Sequence, residues 1–156
     1  METLYNKNNP KILNDYLKFL HKIKNYSENT VLGYCLDLLC FFNFLKEYWS
    51  MEISVKEFTV FVLYSVKEAD VIAFLVYLNN NRDNTGCTRN RKLIAIRGFF
   101  KWLFNNYPHN EKRVNPTNNI KSARIVERLP KYLTLEQAKK VCKVFNSKNS
   151  KFPRKK

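Results

Sequence analysis

Up to Asn106, apolar residues recur at three- and four-residue intervals, the spacing that gathers them on one face of a helix. Pro10, after Asn9, suits a first helical position because its missing amide would have had no partner there. Ile12, Leu13, Tyr16, Leu17, Leu20 and Ile23 follow, which predicts a first helix over 10–24. Asn25, Tyr26 and Ser27 interrupt it, with Ser27 placed to cap a second helix reaching about Glu47. The stripe of that helix (Val31, Cys35, Leu38, Leu39, Phe42, Leu45) is widened by Phe41 and Phe44, so it belongs at the centre of the core. Residues 50–65 read two ways, since the run Val60 to Tyr64 suits a short strand or a poorly specified helix. Ser65 with Glu68 three residues on has the form of a capping box, ahead of a third helix that carries Val71, Phe74, Leu75 and Leu78 to about Asn80. A polar turn, Asn79 to Gly86, precedes a fourth helix from about Cys87, with Leu93, Ile96, Phe100, Leu103 and Phe104 on its buried side.

The pattern breaks at Pro108. Residues 108–130 hold three prolines, several asparagines and little apolar periodicity, and read as a linker. A last short helix starts near Leu133, with Thr134 as its cap and Gln137 three residues on, and the polar, basic end from Asn146 is expected to be disordered. The expected organisation is an all-α domain over 1–107, a linker over 108–130, and the start of a second domain over 131–156.

Composition narrows the function classes. Glycine occurs at positions 33, 86 and 98 alone, which argues against a turn-rich sandwich and against a glycine-rich phosphate loop. With 156 residues, 45% hydrophobic and 15% aromatic, the chain can bury one real core but not two. Cys35, Cys40, Cys87 and Cys142 form no CxxC pair, and His21 and His109 stand far from them, so no zinc site and no cofactor is expected. Cys35 and Cys40 read as small apolar residues of a reduced compartment. The amino terminus lacks a basic start followed by an apolar run, and no apolar stretch approaches the roughly 20 residues that span a bilayer. The expectation is a soluble cytoplasmic protein without a membrane partner.

Charge then points to a partner. The net charge is +15, and it is unevenly spread: residues 1–80 carry 8 basic and 9 acidic side chains, residues 81–110 carry 6 and 1, and residues 111–156 carry 14 and 3. Clustered cations gain affinity for a polyanion by displacing its counterions, so double-stranded DNA is the first partner to consider. Basic groups concentrate where the fourth helix begins, at Arg89, Arg91 and Lys92, followed by Arg97.

Four segments, taken in order, resemble the tyrosine recombinases, or phage integrases, and among them the Xer-like members. The first runs from Tyr16-Leu17-x-Phe19-Leu20 into Tyr26-Ser27-x-Asn29-Thr30-Val31-x-x-Tyr34-x-x-Asp37-Leu38-x-x-Phe41. The second is Asp70-Val71-x-x-Phe74-Leu75-x-Tyr77-Leu78, and the third is Thr88-Arg89-Asn90-Arg91-Lys92-Leu93-x-Ala95-Ile96-Arg97-x-Phe99-Phe100-x-Trp102-Leu103. The fourth is Asn115-Pro116 with Leu129-Pro130-Lys131-Tyr132-Leu133-Thr134. The resemblance implies a four-helix SAM-like core-binding bundle that grips one face of duplex DNA, followed by a linker and the truncated start of a catalytic domain. It also implies that the starts of the second and fourth helices approach the DNA, which carries over to Ser27, Asn29, Thr30 and Tyr34, and to Thr88, Arg89, Arg91, Lys92 and Arg97. Other recombinase protomers are then further candidate partners.

Local physics agrees on the region. Small polar groups at a helix start can meet phosphate through side chains and free amides, and arginine forks reach phosphates or guanine edges. Plainer readings stand beside these. Ser27 and Thr30 serve as caps in either case, Tyr34 is packed or exposed, and Arg97 is either a DNA contact or the ion-pair partner of Asp37 or Asp70. Phe41, Phe42, Phe99, Phe100 and Trp102 read as packing residues rather than base-stacking platforms. A competing function is a helical protein-interaction module docking a partner recombinase, with Phe99 and Trp102 as its anchors.

The family breaks DNA with a tyrosine nucleophile assisted by arginines, a lysine and histidine or tryptophan partners. Arg154 lies near where a first catalytic arginine is approached, but the surrounding motif does not follow, and none of the nine tyrosines matches the nucleophile. The expectation is therefore a chain that is not an enzyme. Lys67 stands where relatives often place a Thr or Ser cap, which leaves Ser65 as the expected cap of the third helix.

Overall fold

The computed structural model describes residues 6–82, 85–107, 114–124 and 132–146. Its helices are α1 (Lys11–Lys18), α2 (Glu28–Tyr48), α3 (Val60–Tyr64), α4 (Glu68–Arg82), α5 (Gly86–Asn106) and α6 (Leu135–Asn146), and no strand occurs among the described residues. Part of the expected polar turn (83–84), the segment 125–131 and the basic end from 147 lie outside them.

The first helical stretch has two forms. Pro10 sits at the N-cap of α1, one residue before the expected place, and its carbonyl accepts from the Leu13 and Asn14 amides at 3.1 Å each. After Lys18 the chain widens into a π-helical turn, Phe19–Ile23, in which the Lys24 amide bonds the Phe19 carbonyl at 3.0 Å. Asn25 ends the stretch at φ 55, in the left-handed region that asparagine enters more readily than most residues.

Ser27 caps α2 as the sequence predicts, its Oγ accepting from the Thr30 amide at 3.3 Å and lying 2.9 Å from the Thr30 Oγ1. Replacing Ser27 with alanine should lower stability by about 1 kcal/mol, the usual worth of such a cap, read from the urea midpoint. An unmoved midpoint would mean that Thr30 or water replaces the cap without loss.

The ambiguous stretch 50–65 is helical. Ser54 and Glu57 close a capping box around a short 3-10 turn, Val55–Glu57, with the Ser54 amide bonding Glu57 Oε2 at 2.9 Å, and α3 follows. The cap of α4 departs from expectation. Ser65 lies at the end of α3 and donates back to the Phe61 carbonyl at 3.2 Å, so its hydroxyl is not available to the next helix. The work falls to Asp70, whose carboxylate accepts from the Lys67 amide at 2.7 Å and from the Trp49 indole at 3.2 Å.

α2 and α5 form the centre. Leu38, Phe41, Phe42 and Leu45 of α2 meet Leu93, Ile96, Phe99, Phe100 and Leu103 of α5, all essentially without solvent contact. The ring of Phe42 stands 5.6 Å from that of Phe99, and Phe41 packs at 5.1 Å on Phe74 of α4. α1 covers one side of this pair through Leu13, Tyr16 and Leu17. Such close-packed, edge-to-face aromatic contacts specify a rigid core rather than a loose one.

Residues 114–124 run back along α5 as a strap. Asn115, Thr117 and Asn118 lie near Phe104 and Asn105. Farther on, Ile120 is buried, its carbonyl accepts from Arg97 Nη2, and Ser122 Oγ lies 3.2 Å from Arg97 Nη1. Asn90 then makes two hydrogen bonds to Ala123, donating to its carbonyl at 2.8 Å and accepting from its amide at 2.7 Å.

The helix α6, described by itself, begins with the capping box read from the sequence: the Thr134 amide bonds Gln137 Oε1 at 3.0 Å, and the Gln137 amide bonds Thr134 Oγ1 at 3.3 Å. Among the described residues no helix is long and apolar enough to cross a membrane.

Candidate nucleic-acid interface

The two helix starts singled out by sequence carry the same local device. At α2 it is Ser27 with Thr30; at α5 it is Thr85 with Thr88, the Thr88 amide bonding Thr85 Oγ1 at 3.3 Å and the two hydroxyls lying 3.1 Å apart. Each hydroxyl pair satisfies an otherwise free amide and leaves the remaining first-turn amides available to an anion. α5 therefore starts one residue earlier than expected, with Thr85 as its cap.

From the second turn of α5, Arg91 reaches across to α2. Its Nη1 lies 2.5 Å from Asp37 Oδ2 and its Nη2 donates to Asp37 Oδ1 at 2.8 Å, the two-pronged geometry suited to a carboxylate. Lys92 Nζ donates to the same Oδ1 at 2.9 Å. Asp37 is buried and the Lys92 side chain is only 12% exposed, whereas that of Arg91 is 58% exposed. Two cations over one carboxylate leave one positive charge, presented by the outward edge of Arg91. The ion-pair partners of Asp37 are thus Arg91 and Lys92 rather than Arg97, and Asp70 is occupied by Trp49 and Lys67.

A recess of about 220 Å³ is lined by Asn29, Thr30, Gly33, Tyr34, Asp37, Arg91 and Ile94. It brings together four of the residues singled out by sequence: Asn29, Thr30, Tyr34 and Arg91. The others stand elsewhere. Ser27 is exposed and engaged in its cap, Thr88 is tied to Thr85, and Lys92 turns inward. Arg89 is partly covered, and its Nε is buried with no hydrogen-bond partner among the described residues. Arg97 is held by the strap through Ile120 and Ser122.

Tyr34 is half-buried between this recess and a larger cavity that also touches Arg97. Burial first, then the nearby Tyr26 and Asp37, push its phenol above the usual value, so it remains a hydrogen-bond donor at neutral pH. Phe99 and Trp102 are buried, with Phe99 in edge-on contact with Tyr16 at 5.3 Å, and so provide no exposed anchor for a docked protein. Lys24 and Lys101, which line the larger cavity, were not among the contacts assigned from the sequence. No group of three or more His, Cys, Asp and Glu side chains able to hold a metal occurs among the described residues.

Residues 13–106 match the family described as "Phage integrase, N-terminal SAM-like domain". The chain is 34% identical over 140 residues to Tyrosine recombinase XerC of Caldanaerobacter subterraneus subsp. tengcongensis, a match covering 85% of this chain and 39% of that protein. It is 32% identical over 124 residues to Tyrosine recombinase XerC of Natranaerobius thermophilus, covering 79% of this chain and 37% of the relative. A third relative, Tyrosine recombinase XerC of Herpetosiphon aurantiacus, is 30% identical over 129 residues, covering 80% and 36%. The chain thus spans under two-fifths of the length of these relatives. No solved structure gives a significant match.

Proposed function

This chain belongs to the phage integrase family of tyrosine recombinases, and on that premise we propose that it binds duplex DNA as the gripping part of a site-specific recombinase, without cutting the strands itself. The observation that carries the reading is the shared recess of Asn29, Thr30, Tyr34 and Arg91, where the capped start of α2 meets a cation fixed in place by Asp37. A guanidinium already held on one edge gives up little freedom when its other edge meets a phosphate or a guanine. Thr30 and Asn29 supply neutral donors beside it. Phosphate contacts of this kind set position on the duplex, and base-edge contacts set sequence preference.

The test is duplex binding measured over a series of salt concentrations, on wild type and on Arg91→Gln, with circular dichroism as the check on folding. Affinity should fall steeply as salt rises, and Arg91→Gln should weaken it about tenfold and reduce the salt slope by about one ion. Binding that ignores both changes would remove this face from the contact. Nicked duplexes that trap covalent protein-DNA adducts should yield none, and an adduct would overturn the non-cutting part of the proposal.

A further inference from the structure

Beside the recess lies a second cavity of about 440 Å³, within the range of about 300–1,000 Å³ typical of sites for small ligands and cofactors. Three features of its wall point to a ligand. Lys24, Arg97 and Lys101 line it, and no carboxylate does. Lys101 is exposed and has no partner among the described residues. The Tyr26 and Tyr34 rings stand 6.1 Å apart at its edge, both reachable from solvent.

The third feature is Tyr16. The residue is only 2% exposed, yet it reaches the cavity wall. The hydroxyl stands over Gly98, also on the cavity wall, so closely that a Cβ there would lie 2.8 Å from the oxygen. A phenol at a cavity wall can donate to a ligand atom. Burial also raises its pKa well above the ordinary value, which keeps the proton in place as a donor.

We infer that this cavity binds a nucleotide, its phosphate at Lys101 and Arg97, its base against the rings of Tyr26 and Tyr34, and a polar atom accepting from the Tyr16 hydroxyl. Cations without acids select an anion, and aromatic faces reached from solvent select a planar ring; a nucleotide has both. It can arrive free in solution or as a base turned out of a DNA strand.

The experiment is calorimetric titration with deoxyadenosine 5′-monophosphate, with adenosine and inorganic phosphate as controls. One saturable site is expected for the nucleotide, with either control binding more weakly. Lys101→Gln should weaken the nucleotide about tenfold and Tyr16→Phe about fivefold, in line with losing a charged and a neutral hydrogen bond. Lys101 is on the surface and Phe keeps the Tyr16 ring, so both variants should fold, with melting curves as the check. No saturable binding, or binding equal in wild type and both variants, overturns the site. Inorganic phosphate binding as tightly as the nucleotide overturns the ligand class.

A second arm compares a fully paired duplex with one carrying a single unpaired adenine. If the source is DNA, the bulged duplex binds more tightly, and Tyr16→Phe removes the difference; if the source is free nucleotide, the two duplexes bind alike. This arm rests on the duplex-binding reading, whereas the titration does not. A chain that takes the nucleotide but ignores duplexes sinks only that reading. One that grips duplexes but ignores both nucleotide and bulge sinks the pocket.

Discussion

Asp37→Ala should destabilise the domain by about 3 kcal/mol and lower its melting point by about 10 °C. The carboxylate is buried and holds Arg91 and Lys92 through both oxygens. Removing it strands the Lys92 ammonium, which is only 12% exposed, in a site with no other anion to meet it. Arg91 can turn to water, so the loss falls at the low end of the range for a broken buried pair. The double variant Asp37→Ala/Lys92→Met should recover much of the loss, because an apolar side chain of similar length needs no partner. If the single variant melts with wild type, the triad is an ornament of the surface and the fixed placement of Arg91 goes with it.

Phe99→Ala should cost more, about 4 kcal/mol, through lost burial and the cavity left behind. The ring is fully buried and packs edge-on against Tyr16, Phe42 and Phe100 at 5.3, 5.6 and 5.6 Å. Helix α5 cannot close this gap alone, since Tyr16 is braced on Phe19 and Trp102, and Phe42 on Phe41 and Phe58. Denaturant unfolding measures the loss. A Phe99→Ala protein that keeps its stability but fails to pull down a partner recombinase would reverse the assignment, making the residue a docking anchor.

Features set by local chemistry were legible in the chain. The caps at Ser27 and Thr134 were, because a cap needs only a hydroxyl and an amide a few residues away. The stripes of α2 and α5 were as well, since burial follows helical period. The cap of α4 was not: Ser65 has the right chemistry, but α3 had already claimed its hydroxyl, and α3 sits where the apolar pattern is ambiguous. The partner of Asp37 depended on which turn of α5 crosses α2, a matter of tertiary packing that sequence separation does not encode. Arg91 and Lys92 were in reach and Arg97 was not, although all three lie on one helix. The strap was illegible because its hold is made by the backbone of Ile120 and Ala123 and by two buried apolar side chains, Pro116 and Ile120, none of which leaves a period.

That strap acts as a splint. It touches α5 near Asn105, at Arg97 and at Asn90, spanning most of the helix's length, and Ile120 fastens it to the core between those points. Unwinding α5 as far as Asn90 therefore means lifting Ala123 and, behind it, the buried Ile120. A helix start that would ordinarily be the most restless part of the fold is tied down from outside the helix at its second turn.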